Sequence, residues 1–460
     1  MSLTLATYTM IDGAPVNIRD FGVVGDGTDE TAAIQDFFDY LKANNRKGYI
    51  PKPSSFYGTT DTISMTNCEG VVVECETAID RISQDAYFKR ISGTNPMFDF
   101  EGASQLVLRN FSVDGNSLAT KGLILKGNAG NRVTHCTFDN LNVAACTTYG
   151  LEIGNVAGNQ WDAAVFNNCW ISSNGVNIWI EGGNTEQVNF MGGSIAGATT
   201  YGVEMSNAGA NFFGTQFLSN TTADVYIDTP LQHDVTFVNP YSEGSGIFLL
   251  TASTTTVSKR CINIFGGQLL SVDSVNTGLG ALDACIYHRN NMGLTAIGVK
   301  GAGGMASDFL VSPFGTYSII SHGNEWANQS LNIAAAANGV KVSQTDNVGY
   351  QFVGLSAVCK AEANSTNISQ YFSNATFHNN GATGGVTYSL PAGTQGLQYT
   401  FLRYASFAVL IDPNGTEIIR GGGAGKYLSL DSNGANVTLR CVVPGIWEII
   451  STNGTTSFEP

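Results

Sequence analysis

Four acidic residues recur at matching points of a repeated strand pattern: Glu152, Glu181, Glu204 and Asp228, with Trp179 and Tyr226 among them. They fall in the short segments GLILK (122–126), GLEIG (150–154), NIWIE (177–181), GVEMS (202–206), VYID (225–228) and GIFLL (246–250). If each is a strand, Leu123, Leu151, Ile178, Val203, Val225 and Ile247 form one inward ladder. Leu125, Ile153, Ile180, Met205, Ile227 and Leu249 form a second. Alternation then turns the residues between them outward. One outward column reads Ile124, Glu152, Trp179, Glu204, Tyr226, Phe248, and the next reads Lys126, Gly154, Glu181, Ser206, Asp228, Leu250.

That combination suits sugar chemistry. Flat rings stack on the apolar faces of pyranoses while polar groups take the hydroxyls. Glycoside hydrolysis needs a proton donor and a second carboxylate, about 6.5–9.5 Å apart for inversion and about 5.5 Å for retention. Glu181 with Glu204, and Glu204 with Asp228, stand one coil apart and two residues along, roughly 8 Å by strand rise and spacing. Glu152 and Glu204 stand two coils apart, roughly 9–10 Å by the same spacing. Catalysis is therefore expected at Glu204, Glu181 and Asp228, and substrate binding at Glu152, Trp179 and Tyr226. The same residues also suit a solvated sheet face or a face buried between subunits.

A rival set lies on the first strand of each repeat: Arg109, Asp139, Asn167, Trp170, Gln216 and Tyr241, with Glu243 in the following turn. Asp139 and Glu243 are reserve candidates. His322, Glu325 and Trp326 form a late group better explained by packing. Cleavage by β-elimination would need a base near the sugar C5 proton and cations or Ca²⁺ to neutralise a uronate. Only 22 residues are Lys or Arg, and a stack of acids repels a uronate, so hydrolysis is favoured and no cofactor is expected.

The elements that must hold these residues are legible in a repeat. Phe166, Phe190, Phe212 and Phe237 recur at steps of 24, 22 and 25 residues, each opening a unit of strand, Gly/Asn/Ser turn and second strand. A fixed period in this range means a solenoid whose units bury their apolar faces by stacking. The absence of a 3.6-residue period makes it a β-helix. Weaker units precede it at 106–127 and 138–154, and others follow at 294–301, 317–326 and 350–357.

Composition agrees and excludes. With 460 residues, 43% hydrophobic and 13% charged, the chain supports a large core and more than one domain. Its 54 glycines suit many tight turns. A net charge of −15 argues against nucleic acid and anionic membranes as partners. No run of 18 apolar residues is present, so no transmembrane helix is expected. The opening MSLTLATYTMIDGAPVN has no basic stretch followed by a long apolar run and does not read as a secretory signal. Nine cysteines without a C-x-x-C motif read as buried free thiols in a reducing compartment. The five scattered histidines make a zinc site unexpected.

The expected organisation is a lead-in at 1–16, a β-helix over 17–358 with a capping helix at 31–45, a connector at 359–383, and a small antiparallel β-domain at 384–460. The helix should bury Ile34, Phe37, Phe38 and Leu41 and be N-capped by Thr28 or Asp29. The last domain is marked by P-A-G, P-N-G, S-N-G and T-N-G turns between alternating strands. Asp26, Asp29 and Glu30 cluster as metal ligands might, but a Gly25–Asp26–Gly27 turn and a capping Asp29 account for them without a metal.

VNIRDFGVVGDGTDETAAIQ (16–35) followed by GYIPKPSSFYGTTDTI (48–63) resembles the opening of the pectate-lyase-like, right-handed parallel β-helix proteins. The C-terminal part, with SLPAG and WEI motifs, looks like terminal modules of bacteriophage tailspikes and capsule depolymerases. The polygalacturonase signatures N-T-D, D-D and G-H-G are missing. The resemblance implies a homotrimer, assembled in the host cytoplasm and carried on the virion tail, that binds and usually cleaves a bacterial surface polysaccharide. The large virion-binding domain common in tailspikes is not seen in this sequence, and the expectations are that residues 1–16 dock on another tail protein or that the domain has been lost. A lyase of the same fold and a binding-only tail fibre are the alternatives.

Overall fold

The computed structural model describes residues 13–77, 87–128, 131–155, 162–229, 231–252, 257–270, 285–288, 291–301, 309–311, 318–322, 324–326, 331–333, 341–345, 359–368, 373 and 375–460. Residues 1–12 of the lead-in and the strand expected at 350–357 lie outside the described residues, as do the side chains of His322, Glu325 and Trp326. Contacts divide the chain into two compact units, residues 1–337 with 346–350, and residues 338–345 with 351–460.

The first unit opens with the expected helix, α1 (Thr31–Asn44), which buries Ile34, Phe37, Phe38 and Leu41. The acids before it are occupied by backbone. Asp29 Oδ1 accepts from Thr31 N at 3.1 Å, Asp26 Oδ1 from Thr28 N at 3.0 Å, and Glu30 Oε1 from Gly25 N at 3.0 Å. Glu30 occupies the cap position without a side-chain cap bond.

The rest of this unit is the expected right-handed parallel β-helix, of about 11 turns. Each turn holds three strands rather than two. The first sheet contains Val107–Arg109, Thr134–Asp139, Asp162–Asn167, Val188–Met191, Ala210–Phe213 and Val235–Val238. The second contains Ser112–Asp114, Asn142–Ala144, Trp170–Ser172, Ser194–Ala196, Gln216–Leu218 and Tyr241–Glu243. The third contains Lys121–Gly127, Tyr149–Asn155, Val176–Glu181, Tyr201–Ser206, Ala223–Ile227 and Ile247–Thr251.

What reads as one strand in sequence is bent into two by a left-handed residue. Asn110, Asn140, Asn168, Gly214, Asn239 and Gly266 all hold positive φ at this corner. Asn and Gly reach that region at least steric cost. The asparagines also bond up the stack: Asn140 Nδ2 donates to Asn110 Oδ1, and Asn168 Nδ2 to Asn140 Oδ1, each at 3.0 Å.

Inside, the recurring phenylalanines stack as the period requires. Ring centroids lie 4.6 Å apart for Phe138–Phe166 and Phe166–Phe190, and 5.1 Å apart for Phe190–Phe212 and Phe212–Phe237. The eight cysteines whose side chains are described are free, seven of them buried.

The second unit packs two small sheets around Trp447, Tyr388, Tyr399, Phe377 and Phe401. Its antiparallel pairs include Asn436–Val443 with Ile446–Asn453, a hairpin closed at Pro444 and Gly445, and Leu428–Leu430 with Thr456–Phe458. The P-A-G, P-N-G, S-N-G and T-N-G turns, expected to close hairpins, instead pass the chain from one sheet to the other. Gly415, Gly434 and Gly454 of the N-G turns have positive φ. The stretch read as a connector carries strands too. Cys359–Ala361 and Ala375–His378 pair parallel with each other, and the latter pairs parallel with Gln398–Leu402.

Candidate functional site

The third sheet brings the expected acids onto one outer face. Its pairing runs Ile124, Glu152, Trp179, Glu204, Tyr226 in one column and Lys126, Gly154, Glu181, Ser206 in the next. Asp228 follows the last residue of its strand, but its backbone N–H still donates to Met205 O at 2.9 Å, which keeps it beside Ser206.

One reading needs correction: Phe248 is not on this face. The last strand pairs Val225 with Leu249 and Tyr226 with Leu250, two residues from the expected register, and Phe248 is fully buried against Phe217 and Phe237. The cause is a local break in alternation. Each third-sheet strand carries two successive buried residues near its start, such as Gly150–Leu151 and Asn177–Ile178.

That same break creates an outer column that alternation alone misses: Lys121, Tyr149 and Val176, then Tyr201, Ala223 and Ile247. A partial signal in sequence is the small or amide residue before four of the inward ladder residues, Gly122, Gly150, Asn177 and Gly202, whereas the buried Asp224 and Phe248 hold that place in the last two strands.

The missed column changes the electrostatics. Lys121 Nζ lies 2.5 Å from Glu152 Oε2. Lys126 Nζ lies 3.3 Å from Glu152 Oε1 and 2.5 Å from Glu181 Oε1. Glu152 is buried and held between two ammonium groups. Lys126 reaches across Gly154, where a Cβ would sit 2.8 Å from Glu181 Cγ. Burial opposes the charge of Lys126, yet its carboxylate partners hold its pKa above the ordinary lysine value. Glu152 and Glu181 are therefore neutralised as a cluster and suited to binding or support.

Glu204 and Asp228 are placed differently: among the described residues neither forms an ion pair with a Lys or Arg. Burial, and then the nearby Asp228 carboxylate, raise the Glu204 pKa above the ordinary carboxylate value. Asp228 is exposed and accepts from Tyr226 Oη at 3.3 Å. By strand rise and spacing the backbone positions of the two residues are roughly 8 Å apart.

Aromatic rings flank the pair. Tyr149 meets Trp179 edge-on at 4.4 Å and 87°, and the Trp179 indole N–H is covered with no hydrogen-bond acceptor. Tyr201 stacks on Tyr226 at 4.4 Å and 20°. Burial pushes the Tyr149 and Tyr226 hydroxyls up to about 12, with neighbouring carboxylates adding to it, so both rings stay neutral.

The reserve candidates lie elsewhere. Asp139 is on the first sheet, 3.4 Å from Arg109 Nε and accepting from Asn167 Nδ2 at 2.7 Å. Glu243 is on the second sheet, where Tyr241 Oη donates to it at 2.7 Å. Neither shares the face of Glu204.

Among the described residues no group of three or more His, Cys, Asp and Glu is arranged to hold a metal ion, and no helix is long and apolar enough to cross a membrane.

No protein-family model and no curated protein sequence matches the chain. Solved structures do. The Dettilon tailspike protein aligns with a TM-score of 0.50 at 12% identity, over 93% of this chain and 76% of that one. Open reading frame 18 of Geobacillus virus E2 aligns with a TM-score of 0.44 at 13% identity, over 97% of this chain and 76% of that one. The A-module of the Azotobacter vinelandii mannuronan C-5 epimerase AlgE4 aligns with a TM-score of 0.42 at 15% identity, over 81% of this chain and 93% of that one. At these identities the likeness is one of fold. The chain thus shares its fold with the Dettilon tailspike protein, and that fold is the parallel β-helix expected from the motif at 16–35 and 48–63.

Proposed function

We propose that this chain is a phage tailspike that binds a bacterial surface polysaccharide (capsule, exopolysaccharide or O-antigen) and cuts it internally by hydrolysis. The observation that carries the reading is the Glu204–Asp228 pair, flanked by Trp179, Tyr201 and Tyr226 on one outer face. Glu204, its pKa raised by burial and by Asp228, gives its proton to the glycosidic oxygen as the bond to the anomeric carbon breaks. Asp228 takes a proton from the water that adds to that carbon from the opposite side. The roughly 8 Å backbone spacing suits this inverting arrangement. Solvent exchange then returns a proton to Glu204 and removes one from Asp228. Glu152 and Glu181, fixed by Lys121 and Lys126, serve binding. The lysines are already engaged by carboxylates, which disfavours a uronate substrate and elimination.

Incubation with polysaccharide from the host surface tests this. New reducing ends without the ultraviolet absorbance of an unsaturated uronate are expected. That absorbance would mean a lyase, and no cleavage would mean a binding-only fibre.

A homotrimer acting on the virion tail, docked to other tail proteins through residues 1–16, belongs to the same proposal. Its support is an apolar stripe on the first sheet: Met191, Phe213, Val238, Phe265 and Ile297 pair rung by rung. Met191, Phe265 and Ile297 are each exposed at 38% or more. Stripes of this kind mark association surfaces. Light scattering should give three times 48.6 kDa, and Phe265→Asp should lower that mass.

A further inference from the structure

The outer face of the second sheet differs chemically from the carboxylate face. One of its outward columns runs Asn142, Trp170, Ser194, Gln216, Tyr241, Gln268. The other runs from Asp114 through Ala144, Ser172, Ala196 and Leu218 to Glu243. Both acids are engaged, Asp114 with Lys89 at 3.0 Å and Glu243 with the hydroxyl of Tyr241 on its own strand at 2.7 Å, and beyond them Gln268 pairs with Lys300. The coils between the two acids place amides, a hydroxyl and rings outward, with no formal charge.

This strip has a floor. Ser194 and Ala196 alternate outward with the inward Ile195, yet they are only 2% and 9% exposed. The larger Trp170, Gln216 and Leu218 on adjoining coils stand beside them. Ser194 Oγ is buried and has no hydrogen-bond partner. A covered hydroxyl without a partner is disfavoured unless something else completes its bonding.

We propose that this strip is a second carbohydrate-binding site, separate from the Glu204 face, and that it takes an uncharged glycan chain running along the solenoid. Amide side chains both donate and accept, as sugar hydroxyls require. Trp170 and Tyr241, three coils apart and so roughly 14 Å at strand spacing, offer two rings on which pyranose faces stack. The four coils between Asp114 and Glu243 carry no fixed charge, so that stretch has neither a cation to hold a uronate nor an anion to hold an amine. Ser194 Oγ completes its bonding with a sugar hydroxyl set between the rings. Holding the polymer at a second point raises its effective concentration at the Glu204 face.

The test uses the full chain in a Glu204→Gln background, so that no probe is cut. Probes are immobilised bacterial polysaccharides of known composition, half of them uncharged and half uronate-bearing. Retention of uncharged members is expected, weakened about tenfold or more by Trp170→Ala and by Tyr241→Ala, with circular dichroism and light-scattering mass unchanged. The proposal is overturned if no uncharged member is retained, or if retention is indifferent to both substitutions. It is also overturned if either variant lowers the oligomer mass, which would make the strip a contact between copies. Retention is scored in the cold, and only on probes that release no reducing ends during the assay, so this result stands apart from the fate of the Glu204–Asp228 reading.

Discussion

Lys126 reaches over Gly154 to place its Nζ 2.5 Å from Glu181 Oε1, bridging two coils of the third sheet. The contact depends on a glycine between them, because a Cβ at 154 would meet Glu181 Cγ at 2.8 Å. It also separates Glu181 from the role its spacing first suggests, since a carboxylate neutralised by an ammonium is poorly placed to give up or take a proton during turnover.

Substitution should divide the acids accordingly. Glu204→Gln and Asp228→Asn are each expected to lower the rate of reducing-end release by about 10² or more, with polysaccharide still bound. Glu181→Gln should act mainly on KM, leaving kcat within about tenfold of wild type. Equal loss at all three positions would return Glu181 to the reacting centre. Unchanged turnover in the Glu204 and Asp228 variants would move the search to Asp139 and Glu243.

The Glu204 titration offers a direct check. Its pKa is raised first by burial and second by the Asp228 carboxylate, so Asp228→Asn should move it down without returning it to the ordinary value. Carboxyl NMR with labelled glutamate reads this shift. In the wild type the rate should fall on the alkaline side as Glu204 loses its proton. A Glu204 titration indifferent to Asp228→Asn would show that the two groups do not sense each other.

Asp224, buried on the neighbouring strand that carries Tyr226, sets a different pH dependence. It is fully buried and accepts from Asn220 Nδ2 at 2.8 Å, Ser242 Oγ at 2.5 Å and Ser245 Oγ. Burial pushes its carboxyl up to about 7 against these bonds. Between an unfolded value of about 4 and that folded value, the native chain holds a proton that the unfolded chain has lost. Its contribution to stability is therefore present at low pH and declines as pH rises through this window. Urea unfolding of Asp224→Asn, compared with wild type at the two ends of the window, should show a smaller loss on going to the higher pH. The same slope in both would assign the effect to other groups.

The phenylalanine stack should respond to truncation as a packed core does. Phe190 is 2% exposed and stacks at 4.6 Å on Phe166 and at 5.1 Å on Phe212. Phe190→Ala is expected to cost about 3–5 kcal/mol, read as a lowered denaturant midpoint. A change below about 1 kcal/mol would mean that the coils close over the gap.

The amino-acid sequence by itself determined the solenoid, because each coil must repeat the same inward residues to bury them on its neighbours. Phe166, Phe190, Phe212 and Phe237 therefore announce the period without reference to tertiary structure. It also determined the face shared by Glu152, Trp179, Glu204 and Tyr226, since strand alternation is a local rule. Tertiary structure alone decided the rest. The left-handed turn at residues such as Asn168 splits an apparent single strand, and so sends Asp139 and Glu243 to different sheets. Two successive inward residues in each third-sheet strand bring out Lys121, Tyr149 and Tyr201 and carry Phe248 into the core. The pairing of Lys126 with Glu181, 55 positions apart, rests on coil register, which loop lengths set and no local pattern records. Which carboxylates are neutralised and which remain in reach of a substrate is for that reason a property of the stacked coils.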